Sequence, residues 1–407
     1  MKKAIILVTL FNFLGAGVTF GINIILARVF PYEIFGRINL LFSYNAILII
    51  LFMFGFCNSM VVFYNKNKTA ELDKSLLNSI TNWYLKYLIY VFPLFCLIVY
   101  GLYYYYKFSL LEMMFLLTST LFSAIYTFFA SYYQALGKWN KYNFMNISFN
   151  ILKGIIVVLG ALMLTFLFKV HLSYELFLKL YIIYAFILLV FGVFCSFSII
   201  GFKSDSKYSV KDFKKLVLPI GFANIIIGLS MRLDNIIIER FLGDKQVAIY
   251  AAANTLALVF PLITGSIMGV LMKEISKDSL FYLKKIIDFQ KRYFIYLLGV
   301  IVLVVLLSPY LIRLFFGIKY INSIPIFQLL IVTYIASVFF TPIESYFYNE
   351  DAKMVFVVKL LQLIIFVGFS LVLVQKFALQ GVAASVFITR VGAWILFYVL
   401  ARKKTYV

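Results

Sequence analysis

Six charged side chains stand inside otherwise apolar stretches: Lys153, Arg232, Asp234, Glu344, Lys359 and Arg390. At the centre of a bilayer such a charge costs roughly 2.5 to 17 kcal/mol, so each needs a reason to be there. Arginine keeps its charge at any accessible pH and binds oxyanions through a planar, bidentate fork. A carboxylate in the same surroundings can close an ion pair or take up a proton or a sodium ion. Arg232 and Asp234 are two residues apart, so their side chains diverge on a helix and each requires another partner. The competing reading is that these charges snorkel to an interface or pair internally. It applies most strongly to Lys359, near the start of its helix, and to Arg28 and Arg240 at helix ends. Other chemistries find little support. Cys57, Cys96 and Cys195 are scattered, without the spacing of a disulfide framework or a zinc site. Gly137-Lys138 lacks the upstream Gly and the following Ser/Thr of a nucleotide-binding loop. Lone His171 is assigned no chemistry. No catalytic residue, metal site or cofactor is therefore assigned.

The elements that carry these charges follow from composition. Of 407 residues, 64% are hydrophobic and 13% charged, against roughly 45–50% and about 25% in soluble domains. About 20 apolar residues cross the roughly 30 Å hydrocarbon core, and long apolar runs point to helices, not to the alternation of a barrel. Twelve are expected: near 5–27, 38–63, 85–104, 111–134, 144–168 and 177–200, then 216–241, 248–272, 293–315, 324–348, 354–375 and 379–401. The amino-terminal run, with Ala16 near a cleavage-like position, is read as the first helix because it is too long for a signal core.

The fold class is thus an all-α polytopic membrane protein. Lys and Arg are about twice as numerous on the side that holds both termini as on the other, which places both termini in the cytoplasm. The net charge of +21 is spread over short loops, not gathered into a nucleic-acid groove. It suits retention and contact with anionic membrane lipids. An internal repeat divides the chain: Asn23-Ile24-Ile25-Leu26-Ala27-Arg28 matches Asn235-Ile236-Ile237-Ile238-Glu239-Arg240, and Ser131-Tyr132-Tyr133 matches Ser345-Tyr346-Phe347 at nearly the same offset. Six helices per half make the repeat parallel. The expected lobes are 1–205 and 206–407, joined through the basic segment Gly201 to Lys215.

Three segments carry a resemblance. They are Ala27-Arg28-x-x-Pro31-x-Glu33-x-Phe35-Gly36, Gln134-Ala135-Leu136-Gly137-Lys138, and Asp234-Asn235 with Arg240-x-x-Gly243-x-x-x-Val247-x-x-Tyr250-x-x-Ala253. Together with length and helix count, they resemble the Wzx-type polysaccharide repeat-unit flippases of the multidrug/oligosaccharidyl-lipid/polysaccharide exporter superfamily. The resemblance implies a V-shaped, alternating-access transporter, not an enzyme, in a bacterial inner membrane. Its cargo would be an oligosaccharide on undecaprenyl pyrophosphate, moved to the periplasmic leaflet for O-antigen or capsule assembly. A polysaccharide polymerase and a chain-length regulator are the implied protein partners. One departure is Ala248 at the repeat position of Gly36.

A diphosphate-linked sugar is a polyanion, and fixed cations would lower the barrier to its passage. Arg28, Lys153, Arg232 and Arg390 are expected to line that cavity. Asp234 is expected to form a gate with Arg28 or Arg37 across the lobes, and Asp234 or Glu344 could couple transport to a proton or sodium gradient. Two rivals remain. A glycan polymerase or glycosyltransferase usually exposes a large outer loop, and the outer connections here are about ten residues or fewer. A cation-coupled multidrug exporter would favour acidic residues in its cavity, while the excess here is basic. A peptidoglycan-precursor flippase would typically carry further helices. The aromatic fraction of 19%, including Tyr103 to Tyr106, suits interfacial belts. Pro93, Pro219, Pro261 and Pro342 are candidates for kinks.

Overall fold

The computed structural model describes residues 2–67, 73–163, 173–196, 210–261 and 279–406. His171, Lys68, Lys169, Lys203, Lys207, Lys273 and Lys277 lie outside the described residues, as do the 205/206 boundary and the far ends of the expected fifth, sixth and eighth helices. Among the described residues the chain is helical, without a strand. The first elements are α1 (Lys2–Val29), α2 (Tyr32–Met53), α3 (Phe56–Asn67), α4 (Asp73–Tyr106), α5 (Leu110–Ala135), α6 (Trp139–Lys153) and α7 (Tyr174–Ser196). They are followed by α8 (Val210–Ser230), α9 (Leu233–Leu242), α10 (Asp244–Ala257), α11 (Ser279–Phe316), α12 (Ile324–Glu350) and α13 (Ala352–Tyr406).

Nine stretches among the described residues are long and apolar enough to cross a membrane, and Phe13–Val29 is a shorter apolar helix. This is a multi-pass membrane protein. The expected eleventh and twelfth helices both fall in α13, where Ala378 breaks the helix with φ 48° and ψ −131°. Gly381 then returns onto the backbone of Leu373, so close that a Cβ would sit 2.2 Å from the Leu373 carbonyl oxygen. On a straight helix those residues would be about 12 Å apart, so the chain doubles back here. The expected second helix is also interrupted: Phe54 (φ 30°) and Gly55 (φ 75°) separate α2 from α3. Gly55 meets the backbone of Gly221, where a Cβ would come within 2.6 Å of the Gly221 nitrogen.

Packing divides the chain into two compact units, Met1–Ile22 with Leu41–Leu229, and Asn23–Leu40 with Ser230–Val407. Division by contact therefore cuts α1 and α2, at different residues from a division by repeat. In the first unit α5 packs against α3 and α7. Its start is fixed by a capping box in which Ser109 and Glu112 satisfy each other's backbone N–H groups, and Tyr174 donates to Glu112 at 2.6 Å. Interhelical polar rungs, which supplement packing where lipid supplies no hydrophobic drive, include Asn45 to Thr120 and Tyr126 to the Met145 carbonyl. Tyr84 stacks on Phe128 with centroids 4.0 Å apart.

In the second unit α12 packs against α11 and α13 around Leu283, Ile287, Ile343, Phe347, Val355 and Phe397. Helix α10 is buried along Val247–Asn254, and its Ala251, Ala252 and Ala253 admit close neighbours. Gly36 of α2 touches it so closely that a Cβ would overlap the Asp244 carbonyl and approach the Ala248 nitrogen. The repeat-related Gly36 and Ala248 thus meet each other. Their turns differ in chemistry: the chain enters α2 through Pro31 and α10 through Gly243, whose φ of 82° requires glycine.

Candidate functional site

The expected seventh helix is broken at Met231 and Arg232, between α8 and α9. Arg232 takes the position before α9 with φ −135° and ψ −13°, which leaves Asp234 in the first turn, where a helix favours negative charge. Asp234 is 6% exposed. Its Oδ1 accepts the Asn235 backbone N–H at 2.8 Å, and its Oδ2 accepts the Tyr250 hydroxyl at 2.8 Å. Tyr250 comes from α10 and is fully buried. One step away, Tyr334 of α12 donates to Asn254 Oδ1 at 3.0 Å. The Arg390 guanidinium of α13 lies over the Tyr334 ring, 4.6 Å from its centroid.

Arg232 and Arg390 both lie within electrostatic reach of Asp234. Neither donates a hydrogen bond to a described residue. Two guanidinium groups thus act on one carboxylate without closing an ion pair on it, which leaves formal surplus positive charge. Cation–π contact is worth roughly 0.5–2 kcal/mol and orients Arg390 without consuming its N–H fork. Such a fork, half-buried and preoriented, is suited to an oxyanion.

The other expected residues go elsewhere. Arg28 donates from Nε to the Phe315 carbonyl at 2.9 Å and from a terminal nitrogen to the Leu314 carbonyl. It thus covers the carbonyls at the end of α11, where a cation is favoured. Arg37 reaches Asp244 at 4.0 Å. Asp234 is therefore held by Tyr250 and the Asn235 backbone, pairs with neither Arg28 nor Arg37, and feels Arg232 and Arg390 only at longer range. All of these residues belong to the second unit.

Lys153 belongs to the first unit, where its Nζ reaches Thr19 Oγ1 at 3.3 Å and Thr19 donates to Asn150 at 3.0 Å. The helix widens to a π turn over Gly154–Leu159 just after it, a distortion frequent at functional sites. Lys359, read from sequence as snorkelling, instead pairs with Glu344 at 2.8 Å, with the carboxylate side chain 7% exposed. Among the described residues no three His, Cys, Asp or Glu side chains converge as metal ligands.

Sequence reasoning missed the roles of Tyr250, Tyr334 and Asn254. Tyr250 stood in a quoted motif, but nothing in its spacing pairs it with Asp234. It also missed Lys319, which donates to the Phe30 carbonyl at 2.7 Å and lies over the rings of Tyr32 and Tyr320.

Residues 1–277 match the family described as polysaccharide biosynthesis protein. The chain belongs to that family. The fold of this chain is similar to that of a lipid II flippase MurJ in an inward closed conformation. That match has a TM-score of 0.71 and 16% identity, covering 98% of this chain and 87% of the other. It is also similar to an inward-facing multidrug resistance MATE family transporter of the MOP superfamily (TM-score 0.69, 13% identity, 98% and 94% covered). A MATE structure in complex with MaD5 gives a TM-score of 0.67 at 14% identity, covering 100% and 96%. No curated protein matches the chain by sequence. At such identities the solved structures establish the fold alone.

Proposed function

We propose that this protein flips undecaprenyl-pyrophosphate-linked oligosaccharide repeat units from the cytoplasmic to the periplasmic leaflet, by alternating access of lobes 1–205 and 206–407. It works in a bacterial inner membrane with both termini in the cytoplasm, supplies O-antigen or capsule assembly, and hands its cargo to a polymerase and a chain-length regulator. It performs no covalent chemistry itself. The observation that carries this reading is the surplus of guanidinium over carboxylate around Asp234, in a chain of the polysaccharide biosynthesis family. Arg390 and Arg232 receive the diphosphate. Asp234 and Glu344 are the candidates for coupling to a proton or sodium gradient, and Arg37, which reaches Asp244, for gating.

A second reading, a cation-coupled multidrug exporter, is favoured by the likeness to MATE folds and by two buried carboxylates. Against it, Asp234 is faced by two arginines and Glu344 is paired with Lys359, which leaves little acidity for a cationic drug. The discriminating experiment deletes the gene in its host, confirms that upstream glycan synthesis continues, and locates the lipid-linked unit. Accumulation on the cytoplasmic leaflet with loss of surface polymer supports the flippase. Single units that reach the periplasm but stay unjoined would replace it with a polymerase.

A further inference from the structure

Helices α11 and α12 enclose an apolar groove of about 670 Å³, within the 300–1,000 Å³ typical of ligand pockets. Its lining runs along α11 from Tyr282 to Val300, about 27 Å of helix rise. Aromatic and aliphatic side chains share the walls, Phe289 and Tyr293 from α11 and Phe339 and Val338 from α12 among them. Gln290, 3% exposed, ties the walls together by donating to the Phe339 carbonyl at 2.7 Å. The two walls are therefore fixed to each other by a hydrogen bond.

Its two ends differ. Lys285 lies in the lining at one end, exposed and without an ion-pair partner among the described residues. Lys284, Asp288, Lys291 and Arg292 share that part of α11, Asp288 pairing with Lys291 at 3.9 Å, which leaves the stretch net positive; from Tyr293 to Leu307 the helix carries no charge. Hydrocarbon contact therefore begins near Tyr293, and Lys285 stands about 12 Å above it. The groove starts outside the hydrocarbon beside a cation and descends into it. A phospholipid chain fills one leaflet, about 15 Å deep, below a headgroup already at the interface, so it cannot cover the upper half. A chain several times longer can be drawn up the groove and still reach the bilayer.

We infer that this groove holds the hydrocarbon chain of a long-chain polyprenyl diphosphate as it docks, with Lys285 at the phosphate before the diphosphate passes to Arg232 and Arg390. The inference rests on the flippase reading and adds to it a place where the lipid part of the cargo is gripped, apart from the cluster around Asp234.

The test uses the full-length protein in vesicles of phosphatidylethanolamine and phosphatidylglycerol. One sample carries a photoreactive long-chain polyprenyl diphosphate, the other a phospholipid with a photoreactive acyl chain. Labelled residues are mapped by mass spectrometry. The polyprenyl probe is expected to mark the stretch from Phe289 to Val300 and Phe339, and unlabelled polyprenyl diphosphate, but not added phosphatidylglycerol, should compete it away. Lys285→Gln, an exposed change that does not threaten folding, should weaken labelling about tenfold, the effect of losing one charged hydrogen bond. Val338→Phe, which narrows the groove, should reduce it while Lys285→Gln keeps the result interpretable if that variant folds poorly. Equal labelling by the phospholipid, with competition by phosphatidylglycerol, would overturn the inference. If the polyprenyl probe binds saturably elsewhere on the protein, the groove assignment falls and the flippase stands. If it binds nowhere, the flippase reading falls with it.

Discussion

Two buried carboxylates in the second unit are treated in opposite ways. Glu344 of α12 is closed by one cation, Lys359 of α13, at 2.8 Å. Asp234 of α9 is held by a hydroxyl and a backbone N–H, while two guanidinium groups stand near it without a hydrogen-bond acceptor among the described residues. The first arrangement is neutral and complete. The second keeps positive charge in reserve, its arginine oriented by an aromatic ring. Counting buried charges does not separate them; what separates them is whether the partners exhaust each other.

The comparison breaks most clearly at Arg390. Arg390→Gln is expected to abolish surface polysaccharide with expression unchanged, and Arg390→Lys to restore it only in part, because a point charge lacks the fork. Full activity of Arg390→Gln would place both pairs in the same structural class. The next effect belongs to Glu344. Lys359→Met leaves a buried carboxylate uncompensated and should cost about 3 kcal/mol or more, read as lowered thermal stability in detergent. The double change Lys359→Met with Glu344→Leu should recover most of it. Transport should follow stability in that series, unlike the Arg390 series. If the double variant is stable but inactive, Glu344 does more than close a pair.

Gly36→Ala should act by geometry alone. Its Cβ meets the Asp244 carbonyl, which is backbone and cannot turn aside, so α2 and α10 must separate at a cost of about 1–3 kcal/mol. Reversing the repeat-related partner, Ala248→Gly, should be far milder, close to the roughly 1 kcal/mol of glycine in a helix. Both are read by thermal unfolding.

Much of this arrangement was legible in the sequence because hydrocarbon is a strict solvent. Apolar length marked the helices, and cost marked Arg232, Asp234, Glu344 and Arg390 as residues to explain. The breaks were less visible. Met231 and Arg232 carry neither Pro nor Gly, so nothing local announces the end of α8. Ala378 reverses the chain at a residue type that rarely adopts positive φ. Partners were the least legible, since Tyr250 and Tyr334 reach the cluster from different helices, and side-chain pairing across a bundle leaves no periodic trace. Arg28 matched the family's motif, yet its hydrogen bonds go to the end of α11. A motif records that a residue type is kept at a position, without recording what it touches.

The finest distinction lies in the bond that holds Asp234 still. Tyr250→Phe removes only the hydroxyl that donates to Oδ2, at a cost of about 1.5–3 kcal/mol for a hydrogen bond to a charged group. Asp234→Asn removes the charge and keeps the shape. If the hydroxyl serves mainly to keep the carboxylate away from the arginines, Tyr250→Phe should let Asp234 close on Arg232 or Arg390 and lower transport more than stability. Combining it with Asp234→Asn should then return part of the lost transport, a non-additive result that a double-mutant cycle reads directly. Additive losses would mean that Tyr250 only fills space beside Asp234, and the reserve of positive charge would have to be kept open by some other contact.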